Sequence, residues 1–169
     1  MDLVRQEEAS AKEKNSYLPL VVIIGLILLC SVLLSVQRGF SWELFMADFM
    51  AGFFLVFAGF KLLDLKGFRD GYMTYDLLAK RVPAYGYVYP FIELGLGLMY
   101  LLRFELMWAN VITIIVLGFS GLGVLEKLSK KQQIQCACLG TALKLPLTKV
   151  TLVEDFGMVL MAAAMLLFK

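Results

Sequence analysis

The chain has 169 residues, enough for one domain, and 60% of them are hydrophobic, with a mean hydropathy of +0.79. Because a soluble globular domain is far less apolar, this composition predicts an integral membrane protein. The net charge of +2 excludes a nucleic-acid-binding surface, and the absence of histidine removes the commonest metal ligand and general base.

The N-terminal part of the chain predicts a tail followed by a first membrane span. Residues 1–16 are polar and mixed in charge, and 17–36 form an uncharged run of 20 residues. At about 1.5 Å per residue, such a run crosses a hydrocarbon core of roughly 30 Å. A cleaved signal peptide is the rival, but its apolar region is usually about 7 to 15 residues long, and Leu29 before Cys30 is too bulky for a cleavage site. We therefore expect an uncleaved anchor.

Four further apolar stretches predict four more spans, at 44–65, 85–102, 106–125 and 150–168. Only a few residues around Arg103 join the middle two, so these helices must be antiparallel neighbours. With the N-terminal span included, the prediction is an all-α integral membrane protein with five transmembrane helices and its termini on opposite faces.

The lysines and arginines are distributed unequally between the two faces that five spans define. The face of the N-terminus has 13 of the 16: Arg5, Lys12, Lys14, Lys61, Lys66, Arg69, Lys80, Arg81, Lys127, Lys130, Lys131, Lys144 and Lys149. The other face has Arg38, Arg103 and Lys169. Since basic residues are enriched in cytoplasmic loops, we expect a cytoplasmic N-terminus and a cytoplasmic loop 126–149, in a bacterial inner membrane.

The segment 67–82 is predicted to form an amphipathic helix at the membrane interface. Its apolar and aromatic residues recur at helical spacing on one face, namely Phe68, Tyr72, Tyr75, Ala79 and Val82. Tyrosines suit the depth of lipid headgroups, and basic residues on the opposite face suit anionic lipid. Pro83 is expected to end this helix. The alternative is a solvated linker with chance periodicity.

Ionisable residues inside a membrane are energetically costly and point to a structural or functional role. Glu93 and Lys61 lie at depths that bring an ion pair within side-chain reach, which either locks two helices together or serves chemistry. Asp48 shares a helix face with Gly52 and Gly59, which indicates close helix packing with a polar group at the outer end. Its alternative is an exposed carboxylate at the interface.

Two acidic residues, Glu154 and Asp155, open the last predicted span. Thr151-x-x-Glu154 fits a capping box, in which a threonine and an acid satisfy the first N–H groups of a helix, whereas Asp155 has no such explanation. The Glu154 face continues with three methionines, Met158, Met161 and Met165. These thioethers are either ordinary packing or a ladder for a soft metal ion.

The reactive chemistry of the chain is concentrated in the polar loop 126–149, which contains Cys136 and Cys138. A C-x-C pair can close a strained disulfide, supply two thiolates to a soft metal ion, or pack as two small apolar residues. Neighbouring lysines favour the thiolate form, and the cytoplasm keeps such thiols reduced. Cys30 lies within the first span and is expected to be a buried small hydrophobe.

Three stretches carry a family resemblance: FFLVFAGFKLLDLKGF, AYGYVYPFIELGLGL and CACLG. They resemble the MauE/DoxX group of small bacterial inner-membrane proteins, in particular its MauE-like, redox-associated branch. The most specific pattern, C-x-C-[FL]-G, is matched by Cys136, Cys138, Leu139 and Gly140. The resemblance covers about 44–168 and implies a four-helix antiparallel membrane domain, to which the N-terminal span is an addition. It also implies electron supply or disulfide formation during maturation of a partner, named in the family after methylamine dehydrogenase.

Thiol redox through Cys136 and Cys138 is therefore the leading functional hypothesis, with the lipid bilayer and a redox or metal-handling protein as partners. Some MauE-like proteins carry a heavy-metal-associated domain, so the resemblance also implies an alternative. This is a Cu(I) or Hg(II) relay on the same thiolates, with Met158 and Met161 as further ligands. A non-catalytic membrane scaffold is the third alternative. The sequence requires no cofactor, and it leaves open whether the chain is an enzyme or a homo-oligomer.

Overall fold

The computed structural model describes the backbone of residues 2–130, 135–136, 145–146 and 149–167, and the side chains of 18–130 and 152–167. Within these ranges the chain forms six helices: α1 Asp2–Gln37, α2 Trp42–Leu63, α3 Leu65–Tyr72, α4 Pro83–Leu101, α5 Leu106–Ser129 and α6 Lys149–Leu167. Two short strands, β1 Gln135–Cys136 and β2 Leu145–Pro146, pair antiparallel between α5 and α6. Apart from this strand pair, the described fold is all-helical, as predicted.

Three of the described helices contain stretches long and apolar enough to cross a membrane: Leu18–Gln37, Trp42–Leu63 and Leu106–Ser129. They correspond to the first, second and fourth predicted spans. α4 and α6 have 19 residues each, and α4 carries Glu93 near its middle. The residues of the predicted N-terminal tail, from Asp2 onward, are helical and continue into the first span as one helix.

α1 packs along α2 through one narrow face. Leu20 and Ile27 are buried there, and a Cβ added at Gly52 of α2 would lie 3.0 Å from Ile27 Cγ2. The buried Ser31 hydroxyl donates to the backbone carbonyl of Ile27 at 2.7 Å, which satisfies it without water. Cys30, expected to be buried, is instead exposed on the outer face. The reason is that α1 contacts mainly α2, so most of its circumference faces outward.

The centre of the protein is formed by α2 packed on α4 and by α5 packed on α6. The first pair approaches closely at Gly97 of α4, where an added Cβ would lie 2.9 Å from Leu55 Cγ and 3.1 Å from the Leu55 backbone nitrogen. The backbone of Leu55 cannot move aside as a flexible side chain could. The two helices can therefore meet here only if residue 97 has no side chain. Large side chains fill the rest of the core: Phe53, Phe54, Phe57, Tyr100, Leu117 and Met158.

The segment predicted as an interfacial helix over 67–82 does not form a single helix. α3 ends at Tyr72, and the chain then turns back to α4, whose first residue is Pro83. The Asp76 carboxylate accepts hydrogen bonds from the backbone N–H groups two and three residues later, at 2.9 and 2.8 Å, which favours a turn over a continued helix. Pro83 thus begins a helix instead of ending one.

The aromatic face of this segment is buried in protein and not among lipid headgroups. Phe68, Tyr72 and Tyr75 are each at most 3% exposed. Phe68 and Tyr72 pack on Tyr89 of α4, with ring centroids 6.0 and 4.6 Å away. A Cβ added at Gly123 of α5 would lie 2.7 Å from the Tyr75 carbonyl oxygen. The segment is therefore wedged between α4 and α5, where it closes one end of the helix bundle.

Candidate functional site

A small polar cavity lies where the second half of α2, α3, the part of α4 up to Glu93 and the first half of α6 meet α5. Its volume is about 20 Å³, which is room for about one water molecule. The polar residues that line this polar cavity are Lys61, Tyr72, Tyr75, Tyr89, Glu93, Ser120, Glu154 and Asp155. The apolar wall is formed by Phe53, Phe57, Phe68, Leu117 and Val124. Only the folded chain brings these residues together.

Lys61 and Glu93, predicted to lie within reach of each other, meet as an ion pair in the wall of the polar cavity. Lys61 Nζ is 2.6 Å from both carboxylate oxygens of Glu93, and the two side chains are 6% and 2% exposed. The ammonium lies 5.4 and 5.0 Å from the ring centroids of Phe68 and Tyr89, which adds cation–π attraction. Because water is excluded, either charge alone would be strongly unfavourable here, so each ion depends on the other.

Glu154 and Asp155 bring two further carboxyl groups to the polar cavity from α6. α6 begins at Lys149, so Thr151 lies inside the helix and is not its N-cap. The predicted capping box between Thr151 and Glu154 is therefore wrong, and the position of Glu154 is set by packing against the cavity. The Oε1 atom of Glu154 is buried and has no hydrogen-bond partner among the residues that the structure describes.

The Tyr72 hydroxyl is a second buried polar group in the wall of the polar cavity that lacks a hydrogen bond within the described part of the chain. The Ser120 hydroxyl of α5 lies close to this phenol. Burial, reinforced by the neighbouring Tyr89 and Asp76, raises the pKa of Tyr72 well above its ordinary value. The phenol therefore keeps its proton and is available as a donor.

Asp48 lies at the opposite end of the bundle and is the centre of a second charged cluster. Its side chain is 2% exposed, and its Oδ1 accepts hydrogen bonds from Arg103 at 2.6 Å and Arg38 at 3.3 Å. The alternative of an exposed carboxylate does not describe this residue. The left-handed backbone at Arg103, with φ of 55°, turns the chain tightly between α4 and α5 and presents the guanidinium to Asp48. The cluster ties the α1–α2 connection to the α4–α5 turn.

The structure places the three methionines of the Glu154 face against the hydrophobic core. Met158 and Met165 are 1% and 4% exposed, and Met161 is partly buried against the same core. In the described residues, no group of three or more Cys, Asp or Glu side chains is arranged to hold a metal ion. The methionine thioethers lie in contact with apolar neighbours, as in ordinary core packing.

The two cysteines of the predicted dithiol lie largely outside the described residues. Cys136 is described by its backbone alone, as the second residue of β1, and Cys138 falls outside the described ranges. β1 lies beside α3, which contributes Phe68 and Tyr72 to the polar cavity. The strand that carries Cys136 is therefore at the same end of the bundle as the polar cavity.

The sequence reasoning missed the buried tyrosines and the polar network of α5. The Tyr100 hydroxyl donates to Asn110 Oδ1 at 2.7 Å and lies 3.1 Å from the Thr113 hydroxyl. Asn110 and Thr113 are three residues apart in an apolar helix, so they share a face, and this spacing was the available signal. Tyr85 and Tyr89 are likewise one turn apart on α4, and both pack against Tyr72, the last residue of α3.

The apolar helices, and the gathering of charged groups in the interior, define a multi-pass helical membrane protein. The family described as "MauE: Methylamine utilisation protein MauE" matches residues 40–168, and the chain belongs to this family. The match contains α2 to α6 and leaves α1 outside. Searches of curated proteins and of solved structures found no match.

Proposed function

We propose that the protein is a membrane accessory factor in methylamine utilisation that matures a partner protein through its Cys136/Cys138 dithiol. The membership of the MauE family over 40–168 supports the accessory role. The observation that carries the thiol mechanism is the position of β1, which holds Cys136 beside α3 at the polar-cavity end of the bundle. A dithiol at this end is held at the membrane surface, where a partner can reach it.

The chemistry is thiol–disulfide exchange. The thiolate of one cysteine attacks a disulfide sulfur of the partner, forms a mixed disulfide and releases one partner thiolate. The second cysteine then attacks the mixed disulfide, so that the chain becomes oxidised and the partner gains two electrons and two thiols. A C-x-C disulfide closes a small, strained ring and is easily reduced again, which suits a reversible carrier. The reverse sequence forms a disulfide in the partner.

The topology belongs to the same proposal. α4 and α6, with 19 residues each and about 28 Å of length, also cross the bilayer, which gives five spans. Residues 44–168 form the four-helix membrane domain, and α1 supplies the additional span. The unequal distribution of lysine and arginine places residues 1–16 and loop 126–149 on the cytoplasmic side of a bacterial inner membrane.

A soft-metal relay is the rival proposal for the same two thiolates. Cu(I) or Hg(II) would bind to Cys136 and Cys138, and Met158 and Met161 of α6 would extend the path with thioether sulfur. It requires both thiols to remain reduced at rest, whereas the redox proposal requires them to cycle. A scaffold without chemistry is the third proposal, and it predicts that neither property is present.

A redox titration of the purified protein, followed by a Cu(I) titration against a competing chelator, separates these proposals. We expect a reversible two-electron couple that is lost in Cys136→Ser and in Cys138→Ser and is unchanged in Met161→Leu. Cys30→Ser is the control, because this thiol lies far along α1 and should leave the couple intact. Tight one-to-one Cu(I) binding without a couple would favour the relay, and the absence of both would leave the scaffold.

A further inference from the structure

Two buried polar atoms that lack a hydrogen-bond partner among the described residues line the same water-sized space. Tyr72, 1% exposed, has no hydrogen bond to its hydroxyl within the described residues, and neither has the buried Oε1 of Glu154. Both residues line the polar cavity of about 20 Å³. A buried polar group is unfavourable unless it is hydrogen-bonded, and a buried water needs two to four polar partners. The cavity therefore suits one water molecule between the phenol and the carboxyl group.

The charges around this space do not balance. Lys61 is the cation in the described lining of the polar cavity, and both oxygens of Glu93 already contact its Nζ at 2.6 Å. Among the described residues, the groups near Glu154 and Asp155 come from the elements packed around them. α2 contributes Lys61, α3 contributes Tyr72, the turns after α3 contribute Tyr75 and Asp76, and α4 contributes Tyr89 and Glu93. α5 adds the neutral Ser120. Among the described residues, four carboxyl groups thus lie around one ammonium.

Asp76 does not relieve this imbalance. It brings a further carboxylate and no cation, and its Oδ1 accepts two backbone N–H groups at 2.9 and 2.8 Å. Glu93 is stabilised as a carboxylate by its direct contact with Lys61. If Glu154 and Asp155 were both ionised as well, two adjacent negative charges would lie half-buried at the cavity without a cation of their own among the described residues. In a space with room for only about one water molecule, like charges at such short range are poorly screened and strongly unfavourable.

We propose that the polar cavity is a proton-binding site, in which Glu154 and Asp155 hold at least one proton between them at neutral pH and one water links them to Tyr72. The ligand is a proton taken from water at the end of the bundle where β1 lies. It binds a carboxylate oxygen as an O–H group and is returned to water when the carboxyl group ionises. The site is formed by residues of the membrane domain. The proposal that it binds a proton does not depend on whether the dithiol exchanges electrons.

Infrared spectroscopy of the full-length protein in lipid nanodiscs tests this proposal. A protonated carboxyl group gives a C=O stretching band that is separate from the carboxylate bands and shifts in D₂O. We expect this band in the unaltered protein at neutral pH. It should lose intensity in Glu154→Gln and in Asp155→Asn and disappear in the double variant. Glu126→Gln is the matched control, because Glu126 is an exposed carboxylate paired with Lys130 and should leave the band unchanged.

Absence of the band from the unaltered protein at neutral pH would overturn the proposal, and so would a band that persists at full intensity in the double variant. If a variant does not fold, a pH series on the unaltered protein decides instead. The band should fade reversibly as the pH is raised above neutral, and a band absent at neutral pH that appears only in acid would contradict the site. Selective ¹³C labelling of glutamate or aspartate should shift the band in at least one of the two samples. A band that neither label shifts would also contradict it.

Discussion

Replacing Glu93 by glutamine should be among the most destabilising isosteric changes in this protein. The glutamine would keep the shape of the side chain but leave the Lys61 ammonium, 6% exposed, without its counter-ion. Removing one partner of a buried ion pair costs about 3 to 5 kcal/mol. Because whole proteins are stable by only about 5 to 15 kcal/mol, such a loss is easily measured.

The matched control is the Lys130–Glu126 pair, which has the same 2.6 Å separation but side chains that are 59% and 39% exposed. Glu126→Gln should leave stability unchanged within error, since exposed pairs contribute little. Unfolding curves in mixed micelles, followed by circular dichroism, provide the comparison. Lys61→Met combined with Glu93→Gln should recover part of the loss, because the double variant no longer buries an unpaired charge. Equal effects of Glu93→Gln and Glu126→Gln, or additive losses in the double variant, would refute burial as the cause.

Three further predictions concern helix packing, the second charged cluster and topology. Gly97→Ala should destabilise the fold by about 1 to 3 kcal/mol, because the new Cβ would meet Leu55 at 2.9 Å. A Cβ at Gly95 would meet nothing within 4 Å, so Gly95→Ala should be neutral or stabilising in the same unfolding assay. Asp48→Asn should cost about 1.5 to 3 kcal/mol by weakening its charged hydrogen bonds, and an unchanged stability would exclude a structural role for the cluster. The thiols of loop 126–149 should resist a membrane-impermeant reagent in intact spheroplasts and react after lysis; labelling from outside would reverse the orientation.

Much of the helical architecture follows from the sequence because apolar length and periodicity are local properties. The apolar runs predicted α2, α4, α5 and α6 to within a few residues at most ends. Helix geometry also predicts that Lys61 and Glu93 lie within reach of each other, because the residue count along a helix fixes the depth of a side chain in the membrane. The expectation of a MauE-like chain is confirmed by the family match over 40–168.

For the segment 67–82, the sequence does not specify what the apolar face packs against. Its periodicity identified a real buried face, but a repeat of apolar residues is the same whether the face meets lipid headgroups or other helices. Tertiary contacts determine that this face packs against other helices. Tyr72 packs on Tyr89, and Gly123 lacks a side chain that would collide with the backbone of the segment. Neither is visible in a local window of sequence.

The polar cavity could not be predicted as a unit for a similar reason. Its lining comes from α2, α3, α4, α5, α6 and the turns after α3, and no short motif records that convergence. The local explanation of Glu154, a capping box with Thr151, fails because Thr151 lies inside α6 and is not its N-cap. Tyr72 appeared as one member of an amphipathic pattern. The three-dimensional structure shows that both residues line one cavity, and that each has a polar atom without a partner among the described residues.

The most direct test of the proposed function is the trapping of a mixed disulfide in native membranes. With one thiol of the pair removed, exchange should stop at its intermediate, because no second thiolate is present to resolve it. We predict that Cys138→Ser or Cys136→Ser, each in a Cys30→Ser background, accumulates an adduct that a reducing agent releases, and that the variant without any cysteine does not. If neither single variant forms a reducible adduct, or if the adduct forms equally without any cysteine, thiol exchange through this pair is contradicted.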